Sequence, residues 1–468
     1  MLADLIAEMK GSAPDLWAEV HLLCERWLEE PLKLSKQPRT SYRIKHLNDP
    51  IWGTIELMPW EMTLLDSDLV QRLRGVKQLG LAHLVFPGAT HDRFSHLCGV
   101  VAAVDRMVGS IRRNAGHRRL ASANAAQASA PVSDFTVDDE DRYVTRLAAL
   151  VHDVGHGPFS HAVEPLIAMR YRAEIDGLQA ILARSFRGVS HVSVSELMSV
   201  LVVLSEFFQQ FLQGPIVRFG PRSPEEITKR IVASIVGGLD GSPGECLALL
   251  VSSQIDADKL DYMARDAHHA GLPIDFDSER LISKLEIAVV SRETLAPRLN
   301  DLARRADEYP HRRYNDVAIA AAGVGAFEQM LVGRTFLYDR LYHHHKVRAA
   351  DAMAQRLVHY ADEGHELRVT DLFLSLPDEA MIRALGGLIT TDLPLKSNRK
   401  AKALATALVS RGLYKRAFAF AGRFLAGLEF EPSQAEAEED SDASDSVDPL
   451  MSEQEKDAER ARVLHQIN

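Results

Sequence analysis

The chain has 468 residues, 46% of them hydrophobic and 25% charged, an ordinary globular composition long enough for one large core or two to three domains. There is no run of about 18 apolar residues, no basic segment in the opening "MLADLIAEMKGSAPD", and only three distant cysteines, Cys24, Cys98 and Cys246. A membrane span, a secretory signal, a disulfide framework and a cysteine-based zinc site are all unexpected, and a reducing cytoplasm is expected. The net charge is −11, yet nine acidic residues with no Lys or Arg fall between Glu429 and Asp448, so the remainder is near −2. That balance lacks the basic excess of a general nucleic-acid binder; the local cluster "IRRNAGHRR" reads as a solvated loop or as phosphate contacts.

In chain order, residues 1–40 read as an N-terminal helical segment. "HLNDPIWGTIELMP" mixes β-branched residues with Pro50, Gly53 and Pro59, which predicts a short hairpin. "DSDLVQRLRGVKQLG" predicts a helix with Asp66 as N-cap and Gly80 as its stop; Leu69, Leu73, Val76 and Leu79 form its apolar stripe. Residues 114–141 are small, polar and aperiodic, and read as an exposed or disordered insertion. "RLAALVHDVG" predicts a buried helix ending at Gly155. "AIAAAGVGAFEQMLVGRTFLYDRLY" and "RAADAMAQRLVHYA" are further long helical patterns. A helical region over 361–430 follows, then an acidic disordered tail over 431–468 in which "EKDAERARVLHQ" is a candidate terminal helix. There is no internal repeat. The fold class is mostly α, a helical bundle with a small β-hairpin.

"VHDVGHGPFSH" places His152, Asp153, His156 and His161 within eleven residues. Two histidines four apart also occur on solvated helix faces, so a metal site, a catalytic site and a polar turn are all open on spacing alone. Burying an imidazole beside a carboxylate is costly unless both are paired or bind a cation, and these two donors are standard first-shell ligands for a divalent metal. Two adjacent ligands rarely close a site. The further candidates are His91 and His96 in "HDRFSHLCGV", and Asp256, Asp258, Asp261 and Asp266 in "QIDADKLDYMARDAHHAG".

With this order of His, His-Asp and Asp, the chain resembles the HD-domain metal-dependent phosphohydrolases, and within them the deoxynucleoside triphosphate triphosphohydrolases. The resemblance runs from about residue 41 to 360. It is carried by "NDPIWGTIEL", "QRLRGVKQLG", "VFPGATHDRFSHLCGV", "LVHDVGHGPFSHAVE", "IDADKLDYMARDAHHAGL" and "LYHHHKVRAADAM". The resemblance implies an HD-domain core over 41–360 and a divalent metal (Zn, Fe, Mn or Mg) on His96, His152, Asp153 and Asp258. It implies His156 as a catalytic histidine, with a second, His191, beside an acid at Glu164, where the family more often has Asp. Arg93, His161, Lys259, Tyr262 and Asp266 match positions that hold phosphates and sugar, and Gln78 and Leu79 match positions against C2′ and the 3′-hydroxyl. Animal SAM-and-HD-domain members bind an activating guanine nucleotide between subunits at positions matching Lys45, Asp66, Gln71 and Arg74, with Thr54 standing where they have a histidine. A homo-oligomer, dimer or tetramer, with such an activator is therefore implied; for Asp66, Gln71 and Arg74 the alternative is a cap and a solvated face.

The residue chemistry suits that reaction independently. Hydrolysing a triphosphate ester requires charge neutralisation at phosphate oxygens, an aligned water and a proton for the leaving oxygen, which a metal, cations such as Arg93 and Lys259, and a carboxylate-held histidine can supply. The expected activity is hydrolysis of a dNTP to deoxynucleoside and inorganic triphosphate. The alternatives are a nucleotide phosphomonoesterase or phosphodiesterase on the same metal site, and a nucleotide-sensing oligomer with little turnover.

Overall fold

The computed structural model describes residues 2–35, 44–124, 135–214, 220–242, 244–290, 314–362, 367–395 and 398–415. The acidic tail, with its candidate terminal helix, lies outside them.

The N-terminal residues form α1 (Leu2–Ser12) and α2 (Pro14–Ser35), and then come β1 (Lys45–Asp49) and β2 (Gly53–Leu57). The hairpin forms as expected, antiparallel from Lys45↔Leu57 to Asp49↔Gly53. Asp49 accepts from Ile51 N and Trp52 N, and Gly53 takes the left-handed φ of 72° that the turn needs. Short helices α3 (Pro59–Leu65) and α4 (Asp68–Gln71) lead to the long α5 (Arg93–Asn124) and to α6 (Asp139–Val151). Then come α7 (Glu164–Arg170), α8 (Arg172–Ser185), α9 (Val194–Leu204), α10 (Glu206–Leu212), α11 (Pro224–Val236), α12 (Ala257–Ala270) and α13 (Ser278–Ser283). A second antiparallel pair, β3 (Leu285–Val290) with β4 (Tyr314–Ile319), precedes α14 (Val324–Leu337), a π turn at Tyr338–Tyr342 and α15 (His345–Ala361). The last described helices are α16 (Val369–Ser375), α17 (Asp378–Leu385) and α18 (Arg399–Val409).

Helix α5 is the spine of the core and packs against α6 and α12. Its residues Leu97, Cys98, Val100, Val101, Ala103, Val104, Met107 and Val108 are fully buried. A glycine is required at its contact with α12: a Cβ on Gly99 would lie 1.8 Å from Asp261 Oδ1. Helix α6 starts at a reciprocal cap, Asp138 accepting from Asp141 N while Asp141 accepts from Asp138 N. Its last turn delivers His152 as C-cap.

Four expectations need correction. "DSDLVQRLRGVKQLG" is not one helix: Asp66 caps the end of α3, Ser67 is extended, α4 lasts one turn and a 3-10 turn follows at Arg72–Gly75. Gly80 does adopt φ 50°, but it turns the chain against Phe159 O rather than ending a helix. In the expected insertion, residues 114–124 continue α5 and 139–141 begin α6; residues 125–134 lie outside the described ones. The segment beginning at Ala318 starts as strand, because Ala318 and Ile319 pair with Glu286 and Leu285. As for a membrane span, Arg93–His117 is long and apolar enough to cross one, but 78% of that window is buried by the protein itself, the environment of a core helix.

Candidate active site

Three chain segments converge on one buried cluster. The first turn of α5 brings His96, the end of α6 brings His152 and Asp153, and the first turn of α12 brings Asp258. His96 Nε2 lies 3.0 Å from Asp258 Oδ1 and 3.8 Å from Asp153 Oδ2. His152 Nε2 lies 3.9 Å from both Asp153 Oδ1 and Asp258 Oδ1. The other ring nitrogens are committed: His96 Nδ1 to Asp261 Oδ2 at 2.7 Å and His152 Nδ1 to Ala149 O at 2.8 Å. Both Nε2 atoms are buried without a hydrogen-bond partner. Unsatisfied buried imidazole nitrogens aimed at carboxylates are what a metal site offers when each ligand's far nitrogen is held by an outer partner. The donor set fits a divalent cation.

Behind His96, Asp261 is anchored on all sides. Arg265 donates to both its oxygens at 2.8 and 2.9 Å, and Trp52 Nε1 donates at 2.6 Å. Arg265 Nη1 in turn meets Asp49 Oδ2 at 2.9 Å. The hairpin therefore reaches the cluster through buried charges. Asp261 was visible only as one acid among several on a helix; the signal for this anchor was its i, i+4 spacing to Arg265.

Mutual charge shifts these groups strongly. Burial pushes the His96 imidazole down, but Asp258 and Asp261 outweigh it and raise it to about 10. His152 is raised as well: burial opposes, and Asp153 and Asp258 prevail. Asp153 is held well below the carboxylate range against its burial, chiefly by Arg93. His156 goes the other way. Burial first and Arg93 second lower it to about 4, so the ring is neutral at physiological pH, although its Nδ1 lies 2.9 Å from Asp153 Oδ1. Its Nε2 is buried and has no hydrogen-bond partner.

Beside this cluster opens a cavity of about 440 Å³, within the size range of small-molecule sites. Gln78, Leu79, Arg93, His161, Lys259, Tyr262 and Asp266, all singled out above, line it together with Asp258. Arg93 donates to Ser160 Oγ at 3.0 Å and to Asp153. Lys259 Nζ is 2.8 Å from Asp256. Asp266 accepts from Tyr342 at 2.6 Å and contacts His91 Nε2 at 2.8 Å. Arg334, Tyr338, Tyr342, Arg348 and Asp351 also line the cavity; Arg334 and Tyr338 sit in a segment read only as helical pattern, and Tyr342, Arg348 and Asp351 in the matching stretch "LYHHHKVRAADAM", where none was assigned a role.

One expected pairing does not form. His191 is exposed, and among the described residues no hydrogen bond or ion pair joins it to Glu164. Glu164 Oε1 instead contacts His161 Nδ1 at 2.7 Å and lies 3.8 Å from His156 Nε2. His161 precedes Glu164 by one turn and so reaches its carboxylate first.

The four residues matched to an activator site are only partly gathered. Arg74 donates to Gln71 Oε1 at 2.9 Å and lies 3.5 Å over the Phe94 ring. Asp66 and Lys45 are exposed on α3's end and β1, with no hydrogen bond or ion pair to that couple among the described residues.

Comparison with known proteins gives a consistent direction. The family described as "HD associated region" matches residues 310–445. The human protein named deoxynucleoside triphosphate triphosphohydrolase SAMHD1 is 30% identical over 361 residues, covering 74% of this chain and 46% of that protein. Its bovine counterpart is 27% identical over 355 residues, covering 74% of this chain and 49% of that protein. The Bacillus subtilis protein named YwfO, uncharacterized, is 26% identical over 326 residues, covering 69% of this chain and 57% of that protein. The chain thus spans about half the length of these curated relatives. By this similarity and by the buried His, His-Asp and Asp cluster, the chain belongs to the HD-domain family that includes the deoxynucleoside triphosphate triphosphohydrolases.

Proposed function

We propose that the protein hydrolyses deoxynucleoside triphosphates to deoxynucleoside and inorganic triphosphate, using a divalent metal held by His96, His152, Asp153 and Asp258. The observation that carries this reading is the pair of buried, unpartnered Nε2 atoms facing two carboxylates beside a cavity lined by Arg93, Lys259, Arg334 and Arg348. The name of the human relative supports the substrate class. When bound, the metal supplies Lewis acidity at a phosphate oxygen and a water of lowered pKa.

The chain's own residues do the rest. Arg93 and Lys259 bind phosphate oxygens, the first as a fork and the second as a point charge. His161, Tyr262 and Asp266 orient the triphosphate and sugar, and Gln78 and Leu79 crowd C2′. Water oxygen bonds to the α-phosphorus and releases a proton to solvent, the P–O5′ bond breaks, and O5′ takes a proton. His156 is the donor. Burial first and Arg93 second keep it neutral in the free protein; a triphosphate against Arg93 offsets the second of these, and Glu164 at 3.8 Å favours the imidazolium. Protonation of His156 thus accompanies substrate binding.

A homo-oligomer with a guanine-nucleotide activator at Lys45, Asp66, Gln71 and Arg74 belongs to the same reading. Exposed Leu331, Val332, Phe336 and Tyr338 on α14 and the following turn support self-association. Three free, buried cysteines support a reducing compartment, the cytoplasm. The products formed from a dNTP test the central step: triphosphate supports it, and a deoxynucleoside monophosphate or orthophosphate assigns the metal site to another phosphohydrolase reaction.

A further inference from the structure

The cavity wall that carries Gln78, Leu79 and His161 is built from two turns that do not hold themselves. Phe159 and Ser160 both lie in the left-handed region, at φ 61° and 52°, a conformation unfavourable for a non-glycine residue that persists only when the surroundings impose it. Gly80, also left-handed, packs its backbone against Phe159 O. Ser160 Oγ donates to Lys77 O at 2.7 Å, tying one turn to the other.

The element that imposes this arrangement comes from far along the chain. Asp378, the first residue of α17, is 1% exposed. Its Oδ1 accepts from Phe159 N and its Oδ2 from Lys77 N, each at 2.9 Å. Both oxygens of one carboxylate are thus spent on the two turns, and neither is left for substrate. The surrounding contacts serve the same junction. Pro377 lies against Gly75, where a Cβ would meet it at 3.0 Å, and Phe373 fills the space above Gly157 at 2.7 Å. Arg72 lies over Phe373 and donates to His156 O at 2.8 Å and to Val154 O. Burying a carboxylate this deeply is costly, and burial pushes Asp378 up to about 6 against both hydrogen bonds.

We infer that Asp378 is a positioning residue: through Lys77 and Phe159 it sets the distance between the Gln78–Leu79 turn and the Ser160–His161 turn, and so the width of the nucleotide cavity. The region after the HD core is thereby part of the active site's architecture. The inference rests on the proposed hydrolysis for its kinetic readout, and on hydrogen exchange for a readout that does not.

The test compares wild type, Asp378→Asn and Glu379→Gln in the full chain. Asn keeps the shape but offers one accepting oxygen where Asp offers two, and sets an NH2 group against the other backbone N–H. Glu379 shares the helix end and lies 3.6 Å from Lys77 Nζ, but is exposed. In Asp378→Asn, amide exchange in peptides covering 76–80 and 157–162 should rise while metal content stays at the wild-type level. kcat/KM for a dNTP should fall about 100-fold, the order expected of a 1 Å misplacement, with both KM and kcat affected. Glu379→Gln should change neither. Unchanged exchange in Asp378→Asn, or an equal loss in Glu379→Gln, overturns the positioning role. If Asp378→Asn does not fold, Ser160→Ala decides: faster exchange over 76–80 supports the junction, and unchanged exchange refutes it. A wild type that makes no triphosphate defeats the proposed hydrolysis while the exchange result still stands.

Discussion

His96 and His152 enter the cavity floor from different helices yet aim the same ring nitrogen at one oxygen: Asp258 Oδ1 lies 3.0 Å from His96 Nε2 and 3.9 Å from His152 Nε2. With each Nδ1 committed to an outer partner, neither ring has to rotate or change its contacts to accept a cation. Replacing Asp153 or His152 by Ala should strip the metal and abolish turnover while helix content stays near wild type. Full metal occupancy in Asp153→Ala, measured by elemental analysis, would refute the ligand assignment.

Gly99 should be intolerant of its smallest substitution. A methyl group there collides with Asp261 and Arg265, so α5 and α12 must separate and the anchor behind His96 must move. Gly99→Ala should lose about 1–3 kcal/mol of stability, as overpacking does, and bind metal more weakly. A urea titration and metal competition check both. Wild-type metal affinity in the variant would show that the anchor does not control the site.

His156→Ala should keep its metal and lose roughly 10²–10⁴-fold in kcat, the range of a general acid or base. His161→Ala should instead mainly raise KM, because that ring faces the cavity with its Nδ1 on Glu164. Wild-type kcat in metal-loaded His156→Ala would remove the histidine from the proton transfer.

Asp351 shows a stability cost at the cavity. It lines the wall from α15, and burial raises its carboxyl from 3.8 to about 6, with Arg348 opposing. Between these values the unfolded chain has released the proton and the folded protein keeps it. The native state is therefore favoured less and less as pH rises from 3.8 to 6, and the loss is complete above 6. At about 1.4 kcal/mol per unit, the loss is at most about 3 kcal/mol. Asp351→Asn should melt higher than wild type at pH 7.5 and no higher at pH 4. Equal melting shifts at both pH values would contradict the titration.

Guanine nucleotide should act through Arg74. Its guanidinium, held by Gln71 and stacked on Phe94, can donate to a guanine O6 while Asp66 accepts from N1–H and the 2-amino group. GTP should raise both the assembly state and the hydrolysis of a second dNTP, a coupling worth about 1–3 kcal/mol, and Arg74→Ala should lose the response but keep the metal. Sedimentation and rates indifferent to GTP would leave these residues structural.

Local signals carried much of this site into the sequence. The buried run around His152 and Asp153, and the glycines and proline that end it, required a polar cluster at the end of an apolar helix. The hairpin was legible because Pro50 and Gly53 are turn chemistry between β-branched residues. What stayed hidden depended on distant contacts. Asp66 looked like the start of a helix because Pro59 reads equally as the end of the hairpin; as the first residue of α3, with Glu61 accepting from Met58 N, it starts a helix that already ends at Asp66. β3 and β4 pair across more than twenty residues of intervening chain, and Ala318 and Ile319, which look helical, are strand for that reason. His191 was placed by resemblance alone and lies outside the six matching stretches, whereas the three-residue spacing of His161 and Glu164 was the local signal for the pair that forms. Asp378 lies some 300 residues from Lys77, a separation no motif spans.

The most direct measurement is hydrolysis of dGTP in ¹⁸O-labelled water by the metal-loaded protein, with products resolved by mass spectrometry. The expected result is inorganic triphosphate carrying one ¹⁸O, with unlabelled deoxyguanosine, and neither product in Asp153→Ala. Deoxyguanosine monophosphate with pyrophosphate, orthophosphate released stepwise, or label in the nucleoside would contradict attack at the α-phosphorus with release of O5′.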